Sequence, residues 1–127
     1  MIPVERDPHS APFFDAAAEG RLLLRYSPSS REWSEPAALV CAVTQSADLE
    51  WRESAGRGEL VTWTVKPGRE KDGVSTPDVL VGIVELAEGP WLTVRLLDVP
   101  TPREGLPVRV GFVRPEDSEP VPVGRPA

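Results

Sequence analysis

Few side chains in this sequence have the chemistry to act as a nucleophile or a general base. His9 is the only histidine and Cys41 is the only cysteine among the 127 residues. A catalytic Cys–His pair needs both groups in contact and a third group that orients the base. His9 belongs to an N-terminal segment, and Cys41 lies in the apolar run Ala38–Val43, which is typical of a buried, unreactive thiol. The sequence therefore does not indicate an enzyme that acts alone.

The composition describes a small acidic protein. The chain carries 20 acidic residues against 14 Lys and Arg, for a net charge of −6, and its length suits one compact unit. Single-stranded nucleic acid requires a basic groove with aromatic platforms, so nucleic-acid binding is disfavoured. No apolar run approaches the roughly 20 residues of a membrane-spanning helix. With one cysteine and no signal-like N-terminus, we expect a cytoplasmic protein.

The residue pattern predicts a mostly β chain with a short N-terminal helix. After an arm of about ten residues, Ser10 and Pro12 favour a helix start, and Gly20 favours its end. From Gly58 onward, short runs of alternating apolar residues separated by turn signals indicate a small closed barrel. This pattern by itself does not distinguish an OB fold from other five-stranded barrels.

Several segments together resemble the DUF35 family of acyl-CoA-associated proteins. They are "PFFDAAAEGRLLLRY", "ADLEW", "SAGRGELVTWTV", "VELAEGP" and the closing "PVGRPA". The resemblance extends from about Pro12 to Ala127. It implies a rubredoxin-like zinc ribbon followed by a five-stranded OB-fold barrel. We therefore assign residues 1–21 to the arm and helix, 22–53 to the ribbon and 54–127 to the barrel.

The resemblance also aligns four residues with the zinc ligands of such a ribbon. These are Ser27, Ser30, Cys41 and Thr44, of which only Cys41 can supply a thiolate. A structural zinc site needs four N or S ligands, and hydroxyl groups do not replace them. We therefore expect a degenerate, metal-free ribbon that is stabilised by packing.

The family resemblance implies a function at the level of a complex. DUF35 proteins resembling this chain work beside thiolase-fold enzymes of the acyltransferase or retro-aldolase type, which carry the chemistry. The expected role is a non-catalytic accessory subunit that stabilises the enzyme and helps to hold the CoA thioester. The chain itself is expected to bind no cofactor, and acyl-CoA would be the substrate of the complex. An OB-fold module that binds single-stranded nucleic acid is the alternative.

Six residues are our candidate contacts for the partner or for CoA: Phe13, Phe14, Trp33, Lys66, Arg69 and Lys71. The two phenylalanines fit either the core or a helix that docks onto a partner. The three basic residues lie in the segment Lys66–Asp78, which fits either a solvated loop or a loop that reaches a partner or CoA phosphates. Trp33, Trp51 or Trp63 could anchor an interface. A position in the core is the alternative for each of them, and it is the one expected for Trp63.

Overall fold

The computed structural model describes residues 7–41 and 43–127, apart from the side chain of Lys71. These residues form one helix and ten strands: α1 (Ala11–Ala18), β1 (Leu23–Ser27), β2 (Glu32–Ser34), β3 (Glu50–Glu53), β4 (Arg57–Lys66), β5 (Glu70–Lys71), β6 (Val74–Ser75), β7 (Val79–Leu86), β8 (Trp91–Leu96), β9 (Pro107–Val113) and β10 (Val121–Pro126). Among them, no helix has the length and apolar character needed to cross a lipid bilayer.

Helix α1 is preceded by an ordered turn. The Asp7 N–H donates to Ser10 Oγ at 3.0 Å, and the Ser10 N–H donates to Asp7 Oδ1 at 2.8 Å. This reciprocal pair is a capping box. The side chain of Ser10 makes no capping bond to α1 itself. The prediction that Ser10 caps the helix is therefore wrong, because its hydroxyl is engaged by Asp7 one turn earlier.

The strands form three sheets. Strands β2, β1 and β3 make an antiparallel sheet of three strands, which we call the ribbon sheet. Strands β10, β8, β7, β4 and β9 close a barrel in that order, with β10 parallel to β8 and the other pairs antiparallel. Strands β5 and β6 form a small hairpin. The predicted mostly β chain with a short N-terminal helix and a five-stranded OB-fold barrel is confirmed.

One continuous apolar core joins the helix, the ribbon sheet and the barrel. Its buried members come from all three parts of the chain: Phe13, Phe14, Leu22, Leu24, Leu60, Val84, Leu86, Val94, Leu96, Val99, Val108 and Val110. Trp33 and Trp51 are half-buried against this core. The predicted boundaries near residues 21 and 53 fall between α1 and β1 and at the end of β3.

Strand β4 contains a β-bulge that changes which residues face the core. The register against β7 shifts between Leu60 and Thr62. Leu60 is 1% exposed, whereas Trp63 is 39% and Val65 is 55% exposed. The prediction that Trp63 lies in the core is therefore wrong. A bulge inserts one extra residue, here at Val61, so simple alternation cannot be followed through it.

The segment Lys66–Asp78 is a structured hairpin, which we call the hairpin arm. Its two-residue turn has positive φ at Asp72 (53°) and Gly73 (76°), as a type I′ turn requires. At its base, the Gly68 N–H donates to Asp78 Oδ1 at 2.7 Å. The arm extends the β4 and β7 pair beyond the barrel, so the segment is not an unstructured loop.

Gly82 provides the first test of this packing. A Cβ atom at Gly82 would lie 2.7 Å from Leu60 Cδ1 and 2.8 Å from Leu96 Cδ1. We expect Gly82→Ala to lower the free energy of unfolding by about 1–3 kcal/mol, because the core is already filled. The measurement is denaturant unfolding followed by circular dichroism.

Gly111→Ala is the matched control. The nearest atom to a Cβ atom at Gly111 is Arg125 Nη1 at 3.8 Å, which is ordinary contact. This variant should be as stable as the wild type or slightly more stable. Equal stability of the two alanine variants would contradict the packing described here.

Candidate functional site

Two turns of the ribbon bring the four predicted zinc-ligand positions together. Knuckle 1 runs from Ser27 to Ser30. Knuckle 2 runs from Cys41 to Thr44, and residue 42 within it lies outside the described residues. The Ser30 hydroxyl donates to Cys41 Sγ at 3.6 Å, and the Ser30 N–H donates to Ser27 Oγ at 3.3 Å. Four sulfurs that bind zinc at 2.3 Å lie about 3.8 Å apart in a tetrahedron. The spacing between the knuckles is therefore close to that of a metal site.

The two knuckles share the same backbone geometry. Arg31 donates its N–H to the Ser27 carbonyl at 2.7 Å, and Gln45 donates its N–H to the Cys41 carbonyl at 2.7 Å. Arg31 and Gln45 both have φ of 58°. This left-handed conformation is uncommon for residues other than glycine. The chain thus keeps two copies of a knuckle turn although three of the four aligned ligands are hydroxyl residues.

Cys41 is fully buried within this cluster. Hydrogen bonds from the Thr44 hydroxyl and the Thr44 N–H, together with the Ser30 hydroxyl, lower the pKa of Cys41 to about 7. These donors stabilise a thiolate in the way that amide groups stabilise metal-bound sulfur. Because the thiol is shielded from solvent, the arrangement maintains the turn and does not present a nucleophile.

Asp48 is the central acceptor of the knuckle cluster, and the sequence analysis missed it. Its Oδ1 accepts the Ser27 hydroxyl at 2.6 Å and also the Ser46 hydroxyl. Its Oδ2 accepts the Ser29 N–H at 3.0 Å. These hydrogen bonds, above all those from Ser27 and Ser46, hold the pKa of Asp48 well below its usual value. Asp48 lies 21 residues after Ser27, and no sequence motif connects the two.

The zinc ion that the family resemblance implies does not fit these residues. Within residues 7–41 and 43–127, no group of three or more His, Cys, Asp or Glu could hold a metal ion. The knuckle cluster offers one thiol, several hydroxyls and a single carboxylate. A carboxylate that accepts hydrogen bonds from both sides of the cluster links the two turns instead. We derive no chemistry from a metal at this position.

Of the aromatic candidate residues, Phe13 and Phe14 lie inside the molecule and Trp33 is half-buried. Phe13 and Phe14 are 8% and 9% exposed, and their rings pack edge to face at 5.2 Å. Trp33 is half-buried and packs against Tyr26, with ring centroids 5.1 Å apart. The two phenylalanines therefore offer little surface to a partner, whereas Trp33 keeps part of its ring accessible.

The basic candidate residues belong to the hairpin arm. Lys66 and Arg69 are exposed, and the side chain of Lys71 lies outside the described residues. The backbone of Arg69 is fixed, because its N–H donates to Thr76 Oγ1 at 2.8 Å and its carbonyl accepts the Thr76 N–H at 2.8 Å. The arm thus presents charged side chains on an ordered backbone.

His9 and Cys41 belong to different clusters. The His9 ring lies 6.2 Å from the Trp51 ring, on the side of the ribbon sheet where α1 packs. Cys41 is hydrogen-bonded to Ser30 and Thr44.

Glu88 is one of the many acidic residues of the chain. It accepts hydrogen bonds from Ser54 Oγ and the Ala55 N–H and so fixes the link between β3 and β4. Glu88 thus has a structural role, whereas His9 and Cys41 have different neighbours.

Comparison with known proteins relates the barrel to one family. A family model for the C-terminal OB-fold domain of ChsH2 matches residues 51–113. A chain in the solved Ltp2-ChsH2(DUF35) aldolase superposes with a TM-score of 0.79 at 25% identity, covering 95% of this chain and 96% of that chain. A DUF35-family protein of unknown function from Sulfolobus solfataricus has a TM-score of 0.63 at 10% identity, covering 94% of this chain and 86% of that chain, and shows the fold alone.

One curated relative is a longer protein. A probable enoyl-CoA hydratase alpha subunit from Thermomonospora curvata is 29% identical over 126 residues. The match covers 98% of this chain but only 39% of that protein. Most of the relative therefore has no counterpart in this chain.

Asp48 makes the stability of the chain depend on pH. The folded chain holds the pKa of this carboxyl below its unfolded value of about 3.9, so its contribution is complete above that pH and is lost as the pH falls. We expect Asp48→Asn to melt at a lower temperature than the wild type at pH 6. The difference should narrow as the pH falls below about 4.

Thermal melts at pH 6, 4 and 3 measure this difference. Glu104→Gln, which removes one exposed carboxylate in the turn before β9, is the control and should melt like the wild type at pH 6. A difference between Asp48→Asn and wild type that is the same at every pH would contradict the proposed role of the charge.

Restoring thiols should restore a metal site. We expect the triple variant Ser27→Cys, Ser30→Cys, Thr44→Cys to bind about one zinc per chain, because Cys41 would then complete a tetrathiolate. Zinc should raise its melting temperature, and a chelator should reverse the effect. Metal analysis and cobalt absorption spectra of a tetrahedral thiolate site are the measurements.

The same triple variant with Cys41→Ser is the control and should bind zinc much more weakly. The wild-type chain should contain well under one zinc. Absence of zinc from the folded triple variant would mean that the knuckles no longer have the geometry of a metal site.

Proposed function

We propose that this chain, a member of the DUF35 family of OB-fold proteins, is a non-catalytic subunit of a complex that acts on acyl-CoA thioesters. The catalytic partner is a thiolase-fold enzyme of the acyltransferase or retro-aldolase type. This chain would stabilise that enzyme and help to hold the CoA thioester. The complex would work in the cytoplasm, and the chain would bring no cofactor of its own.

The similarity to the Ltp2-ChsH2(DUF35) aldolase is the observation that carries the proposal. The likeness extends over nearly all of both chains at a TM-score of 0.79, so the ribbon sheet and the barrel are both included. The relative named as an enoyl-CoA hydratase subunit supports the same substrate class, since it contains a matching segment within a longer protein. The name of the hydratase subunit points to acyl-CoA chemistry, and that of the solved structure points to an aldolase that contains a DUF35 chain.

The residues of the chain support an accessory role. His9 packs against Trp51, and Cys41 is enclosed in knuckle 2, so the two groups best suited to catalysis have structural partners. Catalysis requires a nucleophile and a base within hydrogen-bond reach of each other and of a substrate. Neither group meets this condition, which favours a partner as the source of the chemistry.

Exposed apolar side chains of the described residues form two groups that are suited to a partner, and Trp91 on β8, which is 55% exposed, stands apart from both. One lies at the ribbon tip, where Leu39 is 69% and Val43 is 71% exposed. The other lies on the hairpin arm and the end of β4, where Trp63, Val65 and Val74 are 39%, 55% and 66% exposed. Exposed apolar patches commonly mark interaction sites, and tryptophan is enriched at the centres of interfaces. We therefore place the partner contact at Trp63 and Val65.

Co-purification from the native host tests the proposal. We expect the tagged chain to recover a thiolase-fold protein at near-equal stoichiometry, identified by mass spectrometry. Recovery of a hydratase alone would change the assigned enzyme. Recovery of nucleic acid, or of no protein partner, would contradict the accessory role.

Substitutions on β4 locate the contact. The double variant Trp63→Ala, Val65→Ala should lower partner recovery at least about tenfold, because truncating a central aromatic residue commonly costs 2 kcal/mol or more of binding energy. Thr62→Ala, Thr64→Ala is the matched control, since both threonines are exposed on the same strand. Equal recovery with both double variants would exclude this surface as the contact.

A further inference from the structure

Three arginines lie side by side on the outer face of the barrel, and we call them the arginine row. Arg57 on β4 pairs in register with Arg109 on β9, and Arg109 pairs in register with Arg125 on β10. Their neighbours Gly58, Val108 and Gly124 face the interior, so the three guanidinium groups project outward. All three arginines are exposed. The row forms only because the barrel brings β4, β9 and β10 together.

This row is electrostatically unfavourable in the free chain. Like charges directly opposite each other on neighbouring strands destabilise a sheet. Arg125 Nε lies 3.7 Å from Asp98 Oδ2, but the Asp98 side chain is 81% exposed, and such a contact contributes little. In the described part of the chain, Arg57 and Arg109 have no ion-pair partner. Although the chain has 20 acidic residues, no acidic residue lies between Arg57 and Arg109.

A fourth arginine continues the row around the barrel. Arg95 on β8 pairs in register with Val123 on β10, two residues before Arg125. Its neighbours Val94 and Leu96 are 1% and 5% exposed, so Arg95 also points outward. Arg95 is half-buried, so β8 adds a partly accessible charge that flanks the row on β4, β9 and β10. Local costs of this kind are expected at functional sites.

The chemistry of the row fits a ligand with several phosphate groups. Guanidinium is planar, always charged, and binds phosphate oxygens through two parallel N–H groups. Neighbouring strands are about 4.8 Å apart, so three arginines in register span about 10 Å. A single phosphate would contact one or two of them, whereas a diphosphate with a further phosphate would contact all three.

We propose that the arginine row binds the phosphate groups of a polyphosphorylated ligand. The identity of this ligand rests on the proposed function. We assign it as the CoA portion of the thioester, which carries a diphosphate and a 3′-phosphate. The row would neutralise these charges while the acyl end lies in the catalytic partner. The site is distinct from the hairpin arm, because Arg57 and Lys66 are at opposite ends of β4, about 30 Å apart.

The surroundings of the row favour a small ligand over a nucleic-acid strand. The positions next to the row in register include Pro107 and Gly111, neither of which is aromatic, whereas Val123 is buried. The nearest exposed aromatic residue along the sheet is Trp91, which pairs with Glu85 two strands away from Arg57. Binding of single strands relies on aromatic platforms as well as on charge. On the Pro107 side of the row, Glu59 and Glu85 line a shallow groove beside Arg57. A phosphate backbone that continued across this groove would meet both carboxylates, whereas a small ligand can keep its phosphates over Arg109 and Arg125.

Isothermal titration of the full chain at low ionic strength tests the proposal. The probes are inorganic pyrophosphate, CoA and dephospho-CoA, with a short oligothymidylate as a comparison. We expect CoA to bind more tightly than dephospho-CoA, because the latter lacks the 3′-phosphate. Arg109→Gln should weaken CoA and pyrophosphate binding by about tenfold, since it removes the central charged donor.

Arg103→Gln is the matched control. Arg103 is exposed in the turn before β9 and lies outside the row, so its removal changes the net charge equally and should alter affinity by less than about twofold. Arg109→Lys keeps the charge without the planar donor and should show a smaller loss. It also serves as the test variant if Arg109→Gln does not fold, as judged by circular dichroism.

Two results would overturn the proposal. If the wild-type chain binds neither pyrophosphate nor CoA, the proposed site does not exist. If Arg109→Gln and Arg103→Gln lose the same amount of affinity, only the net charge of the chain matters. If oligothymidylate binds more tightly than CoA, the ligand of the row is nucleic acid and the assignment to CoA is wrong. Recovery of the protein partner by the Arg109→Gln chain is measured in a separate co-purification. A failure of phosphate binding can therefore be distinguished from a failure of the accessory role.

Discussion

The packing of Phe13 joins the three parts of this molecule. Its ring lies 5.2 Å from Phe14 on the same helix, 6.4 Å from Trp51 of the ribbon sheet and 5.9 Å from Phe112 of the barrel. Aromatic pairs in these orientations contribute about 0.5–1.5 kcal/mol each beyond the area they bury. The ribbon is also attached through Leu22 and Leu24, which share the core of the barrel, and through Glu88, which links β3 to β4. The helix therefore adds to the attachment between ribbon and barrel.

The knuckle cluster shows how a metal-site scaffold can be kept without the ligands. A zinc ion would hold four sulfur atoms from the centre of the site. Here Asp48 accepts hydrogen bonds from Ser27, Ser29 and Ser46 at the side of the cluster, and Ser30 reaches across to Cys41. The turns survive because their backbone hydrogen bonds do not need the metal. We predict that their stability depends instead on the ionisation of Asp48.

Strand β4 separates two surfaces with different chemistry. At its start, Arg57 belongs to the arginine row, and at its end Trp63 and Val65 are exposed beside the hairpin arm. At about 3.3 Å per residue, β4 places Arg57 about 20 Å from Trp63 and about 26 Å from Val65. Such an arrangement suits a subunit that contacts a protein at one end and an anionic ligand at the other. Neither surface requires a catalytic residue in this chain.

The residue pattern by itself determined that the chain is mostly β and that Val108 and Val110 face inward, because side-chain periodicity is a local property of a strand. Family resemblance added the choice of an OB fold and the positions of the knuckles. Only the tertiary structure decided that Trp63 is exposed, since a bulge reverses the alternation within β4. It also decided that Asp48 links the knuckles and that Arg109 lies between two other arginines. These relations join residues distant in sequence, and they depend on the pairing register that is set when the ribbon folds and the barrel closes.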